Sequence, residues 1–161
     1  MQASSGVKAH RVSELKTSQD YLAWQWDEGA WHLEVRLQQR ELLLTIKARN
    51  AGVLELLNQP GDAMGKALIW PMAEGHYVPR GNTVWQQFLA TQGEINTTQD
   101  LSLPLWGMDH GAFTLTWLLT HPFNNRLRLH PQGDALGLSA RHEFTALDLS
   151  TPMTFRLSLD A

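Results

Sequence analysis

The chain has 161 residues, 43% hydrophobic and 18% charged, which is the composition of a folded globular domain and excludes a disordered or fibrous one. Its net charge of −3, with no cluster of Lys or Arg, argues against a nucleic acid or an acidic membrane surface as partner. No stretch approaches the roughly 18 apolar residues of a membrane-spanning helix, and the absence of cysteine rules out disulfides and thiolate chemistry without deciding the compartment.

The length suits a single domain with one continuous core. The opening Met-Gln-Ala-Ser-Ser-Gly-Val-Lys lacks the apolar core of a signal peptide. It reads as a cytoplasmic start or as a piece of a longer chain, and a periplasmic address stays open. Residues 1–9 are expected outside the ordered fold, and residues 7–15 allow an edge strand.

From Tyr21 the pattern is regular. Residues 21–27 place Leu22, Trp24 and Trp26 on one face, and Asp-Glu-Gly-Ala at 27–30 forms a turn. Residues 31–38 alternate, with Trp31, Leu33, Val35 and Leu37 on one side and His32, Glu34, Arg36 and Gln38 on the other, the signature of a strand with one wet face. Residues 41–48 repeat the pattern with Leu42, Leu44 and Ile46, so three strands form an antiparallel meander. Residues 53–57 predict a weaker strand, closed by the turn Asn-Gln-Pro-Gly-Asp.

A short apolar strand over residues 66–70 delivers the chain into a loop dense in Gly, Pro, charge and aromatics, from Pro71 to Arg80. Ordering such a loop costs backbone entropy, and binding residues concentrate on loops held by a rigid scaffold, so this is where ligand contacts are expected. A helix follows over residues 83–91. Asn82 or Thr83 can cap it, Val84, Trp85, Phe88 and Leu89 make an apolar stripe, and Gly93 lies just past its end.

The second half predicts strands again. Leu101, Leu103 and Leu105 alternate, then Trp106-Gly107-Met108-Asp109-His110-Gly111 leads through a hairpin turn to residues 113–119. Thr114, Thr116 and Thr120 there favour a strand. Residues 126–130, 135–144 and 153–159 complete about ten to twelve strands, with turns at 122–125 and 131–134. Short strands at regular spacing with one helix predict a two-sheet antiparallel β-sandwich, a mainly all-β fold.

The chemistry-bearing residues assemble into no complete motif. The seven histidines include no His-x-His or His-x-x-x-His pair, so no metal site and no cofactor are assigned. His121 and His130 each precede a proline in a turn, and singly hydrogen-bonded histidine explains most of the set. There is no Gly-x-Ser-x-Gly elbow and no Gly-rich phosphate cradle before a helix. Glu74 and Asp109 sit in the two richest loops and could pair for glycoside hydrolysis. The plainer reading is that both accept loop backbone N–H groups. Of the seven tryptophans, most belong in the core and one or two near a ligand, where an indole face suits a sugar ring.

Two segments carry a resemblance. Trp70-Pro71-Met72-Ala73-Glu74-Gly75-His76-Tyr77-Val78-Pro79, followed by a short helix, and Leu101-Ser102-Leu103-Pro104-Leu105-Trp106-Gly107, followed by a hairpin, resemble the N-terminal β-sandwich that precedes the catalytic barrel in several glycoside hydrolase families, a type related to galactose-mutarotase sandwiches. The resemblance covers residues 10–160. It implies a single sandwich that packs on a catalytic barrel of the same parent chain, the barrel beginning beyond Ala161 and carrying the catalytic carboxylates. It implies carbohydrate as ligand, with Glu74, His76, Tyr77 and Arg80 as the loop residues that reach a sugar subsite, joined by Trp106 and Asp109. Two other readings are a stand-alone carbohydrate-binding module, which needs exposed coplanar Trp or Tyr, and a small mutarotase-like epimerase, which needs a His and a Glu on one sugar ring.

Overall fold

A computed structural model describes residues 12–160. The readings for residues 1–9, and for the first part of the strand expected at 7–15, lie outside the described residues.

The strands are β1 (Ser13–Ser18), β2 (Tyr21–Trp26), β3 (Trp31–Gln38), β4 (Glu41–Ala48), β5 (Gly52–Gln59), β6 (Ala67–Trp70), β7 (His76–Pro79), β8 (Glu94–Asn96), β9 (Leu105–Asp109), β10 (Thr114–Leu119), β11 (Asn125–Gln132), β12 (Ala135–Phe144) and β13 (Met153–Asp160), with one helix, α1 (Thr83–Thr91). They form two antiparallel sheets. The larger has nine strands in the order β1-β2-β3-β4-β13-β10-β9-β6-β7, the smaller four in the order β5-β12-β11-β8. The fold is the expected mainly-β, two-sheet sandwich with one helix.

Cross-strand register arranges the apolar residues in rows. One row of the large sheet runs Leu22, Val35, Leu44, Phe155 and Leu119, and the next runs Trp24, Leu33, Ile46 and Met153. A third joins Leu42, Leu157, Trp117 and Trp106, and a fourth Leu115, Met108, Leu68 and Val78. The small sheet answers with Leu127 opposite Ala140, Leu129 opposite Leu138 and Asn125 opposite His142. The buried members of both sheets form one cluster, with Trp70, Trp106, Phe144 and Met64 among its largest enclosed side chains. Burying each Leu-, Met- or Phe-sized side chain contributes roughly 1.5–3 kcal/mol, which makes these rows the main stabilising term.

β5 carries a bulge. Leu57 faces Ala140 and Glu55 faces Arg141, so Leu56 is an extra residue, and Leu56 and Leu57 both turn partly inward. β1 has its own register shift between Ser13 and Lys16, where Glu14 adopts φ 51°.

Three expectations need correction. The Leu101–Leu103–Leu105 alternation is not a strand: Leu101 makes an isolated bridge to Met72, bends follow, and β9 begins only at Leu105. Pro104, which has no N–H, precedes that start. Residues 76–79, read as loop, are a strand, and so is the short β8, bringing the described residues to thirteen strands. On α1, Val84 is 75% and Phe88 48% exposed, whereas Gln86 is buried with its amide donating to the Asp134 carbonyl at 2.6 Å. The inward face is therefore Gln86 and Leu89 with Trp85 packed beside them against the core, so of the expected stripe Trp85 and Leu89 turn inward and Val84 and Phe88 do not. The cap is Asn82, whose side chain accepts from the Trp85 N–H at 3.2 Å.

Candidate functional site

The loop from Pro71 to Gly81 is a hairpin with an anchored exit. β6 ends at the enclosed Trp70, and the chain reverses through Ala73 at φ 52° and Gly75 at φ 89°, where the Gly75 N–H donates to the Met72 carbonyl at 2.9 Å. The Ser102 N–H donates to the Pro71 carbonyl at 2.7 Å, and the Ser102 hydroxyl donates to the Ala73 carbonyl. β7 then pairs back on β6, with Trp70 opposite His76, Ile69 opposite Tyr77 and Leu68 opposite Val78.

Strand alternation sorts the predicted site residues onto two faces. Tyr77 lies on the outer face, in the row of Ile69, Gly107 and Thr116, and Asp109 occupies the adjacent outer row with Ala67 and Thr114. Their side chains meet although they stand 32 residues apart: the Tyr77 hydroxyl donates to Asp109 Oδ2 at 2.6 Å. Asp109 Oδ1 accepts from the Gly111 N–H at 2.6 Å. The Tyr77 bond, helped by the Gly111 N–H and the charge of Lys66, holds the Asp109 carboxyl below the usual carboxylate range. The same bond pushes the Tyr77 phenol up. Tyr77 remains 57% exposed, so the pair is a solvent-facing ledge.

Gly65 makes this ledge possible. The Lys66 N–H donates to the Asp109 carbonyl at 2.7 Å, and a Cβ at Gly65 would stand 2.6 Å from that same carbonyl oxygen. Gly65 also adopts φ 69°, which only glycine takes up at little cost. His110 stacks on Phe113 at 4.7 Å, at the turn beyond the ledge.

The other predicted residues go elsewhere. His76 points to the inner face and packs on Trp85 of α1 at 4.5 Å, with Phe88 edge-on to Trp85 at 5.5 Å. Arg80 makes a two-pronged ion pair with Asp134, Nε to Oδ2 at 3.0 Å and Nη2 to Oδ1 at 2.8 Å, with Asp62 at 3.6 Å. That pair keeps the Asp134 carboxyl low and pushes the Arg80 guanidinium up. Since the Gly81 N–H also donates to the Asp134 carbonyl at 2.7 Å, the loop's exit is tied to the β11–β12 turn of the opposite sheet. Glu74 is exposed at the hairpin tip and touches neither Tyr77 nor Asp109 through any hydrogen bond or ion pair. Trp106 is 1% exposed, stacks on Trp117 at 6.1 Å and faces the core, on the opposite side of the sheet from the ledge.

Asp109 thus behaves as the plainer sequence reading had it, accepting a loop N–H, and both its oxygens are engaged. Glu74 does not share its site, so no facing acid–base pair forms in this loop. None of the seven tryptophans is fully exposed; Trp70 is enclosed at the loop's entrance and Trp85 packs on His76. Among the described residues no group of three or more His, Asp or Glu side chains is arranged to hold a metal ion, and no helix is long and apolar enough to cross a membrane.

Sequence reasoning missed Lys66, Gly65 and Asp134, whose roles depend on pairings across the fold. It also missed His142, wholly enclosed on β12. There the inward alternation of Ala140, His142 and Phe144 was the signal that could have found it.

No protein-family model matches the chain, and no curated protein matches it in sequence. The chain is similar in structure to the alpha-N-acetylgalactosaminidase NagBb from Bifidobacterium bifidum. With the Gal-NHAc-DNJ complex of that enzyme the TM-score is 0.64 at 13% identity, over 92% of this chain and 28% of that one. With the ligand-free enzyme it is 0.63 at 10% identity, over 94% and 27%, and with the GalNAc complex 0.60 at 12%, over 96% and 28%. The likeness is one of fold: nearly all of this sandwich corresponds to little more than a quarter of a longer chain.

Proposed function

We propose that this chain is a non-catalytic accessory sandwich of a glycoside hydrolase, one that packs on a catalytic domain of its parent protein and offers the Tyr77–Asp109 ledge to a sugar. The observation that carries this reading is the fold correspondence, in which 92% of this chain matches only 28% of a glycosidase chain. The chemistry of the loop agrees with it. Both Asp109 oxygens are occupied by donors and Glu74 stands apart, so the loop does not present the facing pair of carboxylates that glycoside hydrolysis uses. An exposed phenol beside a fixed carboxylate, with Lys66 nearby, offers the donors, acceptors and ring edge that orient a saccharide. A stand-alone binding module would present tryptophan platforms, and this sandwich keeps its tryptophans at least partly buried.

Assays of the 161-residue chain on aryl glycosides, together with amide NMR titrations against galactosides and N-acetylgalactosamine, test the reading. The expected result is no turnover, with saturable shifts centred on Tyr77, Asp109 and Gly111. Turnover above the buffer rate would overturn the non-catalytic assignment. Shifts that avoid the ledge would remove the sugar from it.

A further inference from the structure

On the outer face of the small sheet, away from the ledge, three arginines gather with too few carboxylates to answer them. Along β11 and β12 alternate side chains point outward, because Leu127, Leu129, Ala140 and His142 are buried on the inner face. Cross-strand register then sets two outer rows. One runs Asn96, Arg126, Arg141 and Glu55, and the next Glu94, Arg128, Ser139 and Asn58. Arg126 and Arg141 therefore stand directly opposite each other, and Arg128 follows Arg126 on the same face of β11. Like charges opposite each other across a strand pair destabilise a sheet.

The neighbouring carboxylates do not remove the conflict. Arg141 makes its ion pair with Glu94 and not with Glu55, its neighbour in register; its Nη2 stands 2.6 Å from Glu94 Oε1 and 2.7 Å from Oε2. Since Arg141 is in register with Arg126 and Glu94 with Arg128, this pair runs diagonally over β11 and lays a third guanidinium between the other two. Glu94 is thereby committed. Among the described residues Arg126 and Arg128 make no hydrogen bond or ion pair through their side chains, although Arg126 is half-buried.

The three arginines line a hollow of about 470 Å³ together with Glu94, Glu55, Asn58, Ser139 and His130. Three guanidinium groups against two carboxylates leave one positive charge in excess, in a chain whose net charge is −3. Glu143, the next outward residue of β12, is not part of the wall. Neutral hydrogen-bonding groups complete it: Ser139 Oγ, 3.0 Å from His130 Nε2, and the exposed amide of Asn58. Packing does not require arginine at these outward positions, where a neutral residue would keep the strand without the repulsion. An oxyanion would replace that repulsion with charge-assisted bonds. A cation would meet the positive excess, and a neutral ligand would leave the guanidinium groups opposed. A carboxylate offers two oxygens on one edge, whereas a tetrahedral oxyanion offers oxygens in several directions and can meet Arg126 and Arg128 at once.

We infer that the outer face of the small sheet binds a tetrahedral oxyanion, a sulfate or phosphate group, between Arg126 and Arg128. This site is independent of the glycosidase reading, since it uses none of the ledge residues.

The test is an NMR titration of the 161-residue chain with sodium sulfate, following the arginine Nε–H signals, with sodium chloride at equal ionic strength as control. Saturable shifts at Arg126 and Arg128 with sulfate, and none with chloride, are expected. Arg126→Gln is expected to weaken binding by about tenfold or more, as one charge-assisted bond is lost. It should not lower the thermal midpoint, because it removes one of two opposed charges. Arg36→Gln, on the large sheet, should leave the affinity unchanged. Galactose 6-sulfate separates the sources of the group: tighter binding than sulfate places it on a saccharide, equal binding marks a free ion, and both support the site. Shifts of the same two arginines by galactose itself would mean that the face reads a sugar ring rather than a charge, and would overturn the proposal. Equal effects of sulfate and chloride, or shifts that never saturate, would leave the arginines a solvated face and overturn it as well. These outcomes are read on the unmodified chain, so the proposal stands or falls whatever the variants do.

Discussion

Trp106 offers the sharpest test of how the sandwich is held together, because its burial and its unpaired N–H act in opposite directions. The indole is 1% exposed, stacked on Trp117, and its Nε1 has no hydrogen-bond partner. Truncation to alanine removes the whole ring from β9, a strand flanked on both sides by β6 and β10 that cannot collapse onto the gap. The expected cost is about 3–5 kcal/mol. Trp106→Phe loses only part of the ring, roughly 1.5 kcal/mol at the usual value per buried carbon. It also removes a buried donor whose lack of a partner costs about 1–3 kcal/mol. The two contributions nearly cancel, so Trp106→Phe is expected within about 1 kcal/mol of the parent protein. Urea unfolding followed by far-UV circular dichroism measures both variants, provided the slope against denaturant stays constant. A phenylalanine variant as unstable as the alanine one would show that the indole N–H has a partner, and the reasoning would fail. An alanine variant as stable as the parent would show that Trp106 is not core.

Three further perturbations are specific. His142 titrates near 4 in the folded protein against 6.5 unfolded, so the unfolded chain takes up its proton first as pH falls; with Asp148 and His121 the groups facing it, stability is expected to be full above pH 6.5 and to drop by about 3 kcal/mol in total between 6.5 and 4. Urea midpoints measured across that window check it, and His142→Gln should flatten the fall. Gly65→Ala forces a side chain into φ 69° and against the Asp109 carbonyl, for an expected loss of roughly 1–3 kcal/mol in thermal unfolding; an unchanged midpoint would refute the close approach. Asp134→Ala releases Arg80 while leaving the Gly81 and Gln86 bonds to the backbone carbonyl, so amide exchange should quicken at residues 80–82 and stay unchanged in β3 and β12.

Much of this architecture was legible because strands such as β11 and β13 keep one face wetter than the other, although β6 and β9 are buried on nearly both. Trp31–Gln38 and Glu41–Ala48 were bounded correctly from the alternation of Leu and Val with His, Glu and Arg. The helix was bounded by its Asn82 cap and Gly93. What alternation does not encode is partnership. β13, the last strand, inserts between β4 and β10 in the middle of the large sheet, and β5 leaves the meander for the opposite sheet. The same limit explains the false strand at Leu101–Leu105, where alternate leucines meet no continuous neighbour. It also explains the site: the loop was found by its composition, yet only the pairing of β6 with both β7 and β9 brings Tyr77 to Asp109 and turns Trp106 to the other face.

The irregularities of the outermost strands carry a colloidal consequence. An open sheet ends in rows of unpaired N–H and C=O groups, which are templates for another chain to join in register. Here one end of the nine-stranded sheet is β1, distorted at Glu14 and bearing Lys16, and the other is the four-residue β7, which closes on Pro79 and so lacks a donor where the row would continue. The small sheet ends in the three-residue β8 and in the bulged β5. Among the described residues each border is therefore short, bent or missing a donor, and offers fibre growth by strand addition no flat template.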